Sequence, residues 1–147
     1  MKILVVILIF LSFLQTTILP LDLVLVVLFL QSYIRPERKN LILAFAFGIL
    51  ISHLTNQFVG LYALIYLSLV ELTQVLAKVP IHKNLFFGGL VLVPFLILEK
   101  LVLSKILIAT ANFWMVGLEI LLAVPIYFLL KLWEERFVVK SEIKLRV

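Results

Sequence analysis

Cysteine is missing altogether, and with it any disulfide framework, thiolate metal site or thiol nucleophile. Charge is scarce: Asp, Glu, Lys and Arg make up 14% of the residues, against about 25% in soluble domains. The two histidines, His53 and His82, stand alone with no second ligand at helical spacing, so the pattern offers no metal site. Glycine is thinly spread and forms no phosphate-cradling loop. No Ser/His/Asp set and no carboxylate pair at acid–base spacing appears either. The sequence therefore calls for no cofactor and no enzyme chemistry. Although the net charge is +5, the basic residues fall between apolar runs and make no basic face for a nucleic acid.

What fills the chain instead is hydrocarbon. Of the 147 residues, 65% are hydrophobic, and the mean hydropathy is +1.26. A small globule exposes too much of its surface to hide such an excess in a core. Lipid is the solvent this composition fits, and the length leaves room for one membrane domain and no separate catalytic domain. Six apolar segments are readable: Ile3 to Leu19, Leu21 to Ile34, Leu41 to Leu54, Phe58 to Ala77, Leu85 to at least Leu98, and Phe113 to Leu132. The turn Arg35-Pro36-Glu37-Arg38-Lys39-Asn40 separates the second from the third, with Asn40 as a helix-starting residue. The runs are apolar on all sides and do not alternate, which makes them helices, not barrel strands. The expected fold is thus all-α, a polytopic bundle of about six transmembrane helices over residues 1–133, followed by a charged cytoplasmic tail, 134–147.

Two features of this reading are tight. Segments two and three have about 14 residues each, whereas a span needs about 20. Either they extend into their flanks, or they sit buried against neighbours, or they form a partly exposed hairpin. After Leu98, the residues Glu99, Lys100 and Lys105 punctuate the apolar tract Leu101 to Ala109. Either helix five continues to about Leu103 or the tract lies in the interface as an amphipathic segment, and the favoured reading is a long fifth helix followed by a hydrophobic connector.

With six spans and the N-terminus inside, eleven of the thirteen Lys and Arg residues fall on the cytoplasmic side and only Lys100 and Lys105 outside. That bias predicts a multi-pass protein of a cytoplasmic membrane with both termini cytoplasmic. Trp114 and Trp133 bracket segment six, about 28 Å apart at helical rise, one at each interface. The first segment lacks a small-x-small cleavage site, so it is expected to stay as a span.

Intramembrane polar residues are the functional candidates. Asp22 follows Pro20 and reads as an N-cap or first-turn residue of helix two, where a carboxylate complements the helix dipole. Ser68, Glu71 and Gln74 lie three apart on one face of helix four, either as an interhelical hydrogen-bond cluster or as a ligand or proton site. Glu119 either snorkels outward or turns in to pair with Lys100 or Lys105. Pro94 and Pro125 lie inside spans, where they kink a helix and free a carbonyl. Ala44, Gly48 and Ser52, at four-residue spacing, make a small-residue packing stripe on helix three.

The run from Gly48 through Gly60 to Leu67 resembles the central signature of the rod shape-determining protein MreD family. In it Gly48, Gly60, Leu61, Ala63, Leu64 and Tyr66 match the pattern, and Leu19-Pro20-Leu21-Asp22 resembles the family's start of helix two. The chain departs from the pattern at Ser52, where many members carry Asp, and at Val70-Glu71, where they carry Gly-Tyr. The resemblance implies a non-catalytic subunit of the bacterial wall-elongation complex. Its implied partners are a single-span MreC-like scaffold and, through it, the peptidoglycan glycosyltransferase and transpeptidase. Ala44, Gly48, Ser52, Gly60 and Tyr66 are then the expected partner-binding surface on helices three and four. The alternative is a substrate-binding subunit of an energy-coupling-factor vitamin transporter, which shares the six-helix plan. Helix one, however, contains no Ala or Gly for docking a motor module, only Ser12.

Overall fold

A computed structural model describes residues 2–18, 21–78, 85–107 and 113–138 of the chain. Pro20, Pro80, His82, Lys83, residues 108–112 and those beyond 138 lie outside the described residues. Six α-helices follow in order: α1 (Lys2–Thr17), α2 (Leu23–Ile34), α3 (Arg38–Leu54), α4 (Leu61–Lys78), α5 (Leu85–Leu107) and α6 (Phe113–Trp133). A π-helical turn, Glu134–Val138, continues α6, and no strand occurs among the described residues.

The short second segment is the centre of the molecule. Its sequence is apolar around the whole circumference, and a helix of that kind belongs in a core. Eleven of its twelve residues, Leu23 to Tyr33, are buried. At about 18 Å, α2 is too short to cross a bilayer by itself. Of the three options the sequence left open, burial against neighbours is the one realised. Helix α2 packs against all five others: α1, α3 and α4 form one side, with α3 against both α1 and α4, and the pair α5–α6 forms the other. Phe29 joins the two sides, stacking on Tyr33 and meeting Phe95 of α5 edge to face at 5.6 Å.

Helix α3 starts three residues before the expected Leu41, so Asn40 is not its cap. Asn40 is buried in the first turn, where its amide donates to the Arg35 carbonyl at 2.8 Å and closes the α2–α3 corner. At its other end α3 stops in a Schellman motif. Asn56 takes the left-handed conformation (φ 53), Gln57 N–H donates to the Ser52 carbonyl, and Asn56 N–H donates to that of His53.

Two stretches, Leu61–Lys78 and Trp114–Arg136, are long and apolar enough to cross a membrane. Length alone does not give the six spans expected from the sequence, since α1 has 16 residues and α2 has 12. The outer surface is nevertheless apolar on every helix around α2. Phe10 on α1 (66% exposed), Ile42 on α3 (68%), Leu64 on α4 (65%), Leu90 on α5 (59%) and Leu121 on α6 (67%) all face outward.

Candidate functional site

Polar side chains gather at the end of the bundle where α1 ends and α2 begins. Gln15, in the last turn of α1, accepts a hydrogen bond from Val24 N–H at 3.0 Å and so caps α2 from outside. Asp22 stands at the N-cap position of α2 but makes no side-chain cap bond, contrary to the helix-capping role read from the sequence. Its carboxylate is instead ion-paired with Lys100 of α5. Its backbone N–H donates to Glu119 Oε1 of α6 at 2.9 Å. Lys100 Nζ also reaches Glu119 Oε1, at 3.2 Å. Glu119 is fully buried, so of the two sequence options it turns inward, and its cation is Lys100.

Two groups nearby complete the cluster. Glu99 is fully buried and lies beside Asp22, Lys100 and Glu119, its carboxyl group set against that of Asp22. Tyr66 of α4 is also buried, with Asp22, Glu99 and Gln15 among its polar neighbours. Asp22, Lys100 and Glu119 thus tie α2, α5 and α6 together at one point, with Glu99 beside them. Removing Lys100 strands both carboxylates in a medium that solvates charge poorly. The cluster therefore acts as a cross-link that sets how the α5–α6 pair sits on α2.

The sequence points to Asp22, to Glu119 and to Lys100 as one of two possible cations for it, but marks Glu99 only as an interruption of an apolar tract. The missed signal is periodic: if α5 runs on to Leu107, then Leu92, Leu96, Glu99 and Leu103 fall at spacings of four, three and four on one inward face.

The stripe on helix three lies inside the molecule. Ala44 and Ser52 are fully buried, and Ser52 Oγ donates to the Gly48 carbonyl at 3.0 Å. A Cβ on Gly48 would lie 2.3 Å from the Cα of Ala63, so α4 of the same chain already occupies this face. Tyr66 is also fully buried. As a surface for a partner, Ala44, Gly48, Ser52 and Tyr66 are therefore corrected to internal packing residues. Gly60 has a different role: it starts α4 with φ +98, its carbonyl accepting from Leu64 N–H at 2.8 Å. Only glycine adopts that backbone without strain.

The polar stripe on helix four divides. Gln74 is buried and donates from its amide to the Glu37 carbonyl at 2.9 Å, pinning the far end of α4 to the α2–α3 corner. Ser68 and Glu71 face outward, so the three do not form one interhelical cluster. At that same far end, Glu134 comes within 3.9 Å of Arg35. The termini of α2 and α3 that carry Arg35, Arg38 and Lys39 therefore share an end with Lys78 and with the end of α6, away from the Asp22 cluster.

Compared with protein-family models, curated proteins and solved structures, the chain matches none of them.

Proposed function

We propose that the chain is a non-catalytic, multi-pass subunit of the bacterial wall-elongation machinery. In this reading it lies in the cytoplasmic membrane and binds a single-span MreC-like scaffold that gathers the glycosyltransferase and transpeptidase. The bundle sits in the bilayer with its basic end, holding Arg35, Arg38, Lys39 and Lys78, toward the cytoplasm. The Asp22 cluster lies toward the outside. The six helices cross as a unit: α2 is too short to meet lipid headgroups on both sides and is carried across inside a sheath of the other five. Trp114, 79% exposed at the start of α6, and the loop residues Phe58 and Val59 sit at the outer interface.

The observation that carries the subunit reading is the outward Glu71 on α4, one of the helices long and apolar enough to span. A carboxylate on the lipid-facing side of a span is costly unless protein covers it. A surface that needs another protein to complete it is the property of a subunit. The transporter alternative draws less support, because the polar groups at the outer end close on one another through Lys100.

The test is to tag the chain in its host, extract it in mild detergent and identify the proteins recovered with it. A single-span scaffold together with wall-synthesis enzymes is the expected result. Recovery of an ATPase pair with a transmembrane coupling subunit, or of a bound vitamin, overturns the proposal.

A further inference from the structure

The outward side of α4 has a regular seam. Leu64, Ser68, Glu71, Val75 and Lys78 are all exposed, and their spacing alternates four, three, four, three. That is the heptad spacing by which one helix packs along another, knobs into holes, at about 20°. The opposite side of α4, through Ala63, Tyr66, Val70, Thr73 and Ala77, is the side buried in the bundle.

Glu71 sits in the middle of the seam, seven residues before Lys78, or about 10 Å from that end of the helix and farther from the other. It makes no hydrogen bond or ion pair among the described residues. Ser68, one turn away, is small enough for a second helix to approach closely at that level. Lipid tails have no donor for a carboxylate. A second copy of this chain in the same orientation would bring its own Glu71 to the same depth and set carboxylate against carboxylate. The charge complement is therefore a different helix.

We propose that the seam of α4 is the docking face for one transmembrane helix of a partner protein, and that this helix carries a Lys, Arg or side-chain amide donor opposite Glu71. This rests on the membrane-subunit reading above and adds to it the contact face and the chemistry of the occupant.

The experiment places a photo-crosslinking benzoylphenylalanine at Leu64, Ser68 or Val75 of the full chain in its host, with Val6 on α1 and Leu121 on α6 as outward controls. Irradiation is expected to give one heavy adduct from the seam positions and none from the controls. Mass spectrometry is expected to place the adduct within a turn of a donor residue on a single-span protein. Glu71→Leu, at an equal amount of chain, is expected to cut the adduct by at least about tenfold, the loss typical of a desolvated charge partner. Glu71→Lys combined with an acidic residue in place of the partner's donor is expected to restore it.

Adducts only with a second copy, adducts no stronger at the seam than at the controls, or indifference to Glu71→Leu each overturn the docking proposal. The two readings fail separately. A seam adduct with a single-span protein unconnected to wall synthesis keeps the docking face and ends the elongation reading. Recovered wall enzymes with a silent seam do the reverse.

Discussion

Replacing Gly48 by alanine is expected to separate α3 from α4. In the structure the added Cβ would stand 2.3 Å from Ala63 Cα, 2.6 Å from Ala63 N and 2.8 Å from Tyr62 C. Carbon atoms in contact sit about 3.5–4.0 Å apart, so the helices must part by roughly 1 Å or more. Every one of those atoms belongs to the backbone, so no rotamer change relieves the contact. Overpacking of this kind costs about 1–3 kcal/mol, occasionally more. Against it stands the gain from alanine in a helix, about 1 kcal/mol. The clash wins because the backbone of α4 is held from below by buried Tyr66 and Val70. The expected result is a lower apparent melting temperature in detergent, by several degrees, in scans at one fixed rate. Gly117→Ala in α6 is the internal control: its Cβ would meet nothing within 4 Å, so only the helix gain remains and the melting temperature should hold or rise. Adding Ala63→Gly should not rescue Gly48→Ala, because the atoms in the way are the Cα and N that glycine keeps. Equal melting temperatures for Gly48→Ala and Gly117→Ala would refute the close approach of α3 and α4.

Other substitutions separate the parts of the account. Lys100→Met leaves the carboxylates of Asp22 and Glu119 without their cation and is expected to cost about 3–5 kcal/mol, read as a large loss of folded protein. Adding Glu119→Gln should recover part of that loss in the double variant, a non-additivity that independent sites would not give. Gln15→Leu removes the acceptor of Val24 N–H and is expected to cost about 1 kcal/mol in a thermal scan. Gly60→Ala has room for its methyl group but must hold φ near +98, so a cost of about 1–2 kcal/mol is expected in the same assay. Glu71→Leu should leave the melting temperature unchanged or raised, since nothing in the bundle depends on that carboxylate.

The helices were legible because their composition is extreme. Runs apolar on every side can only be helices in lipid or in a core, and the structure has helices in all six places. The centre was legible only as an anomaly. The shortness of Leu21 to Ile34 was visible, but its meaning depends on which neighbours surround it, and the sequence does not give helix order. The small-residue stripe marks a face of close approach, and such a face looks the same in sequence whether the approaching helix is α4 or a partner. Spacing reports how near a helix comes, not whose it is. Ser68, Glu71 and Gln74 show the opposite failure: a spacing of three places residues roughly on one side, but the drift over two intervals carried Gln74 into the corner beside Glu37 while Glu71 stayed outside. Lys100 is legible as an outer-side charge and as one of two possible partners for Glu119, but its pairing with Asp22 is not, because that depends on how α5 sits against the start of α2.

The most direct test of the proposed wall-elongation role is depletion of the chain in its growing host, with cell width and the incorporation of a fluorescent wall precursor followed by microscopy. The account predicts that cells widen and round while side-wall incorporation falls, and that wild-type chain restores both whereas Glu71→Leu, expressed to the same level, does not. Unchanged shape and incorporation on full depletion, accompanied by loss of uptake of a small nutrient, would contradict it.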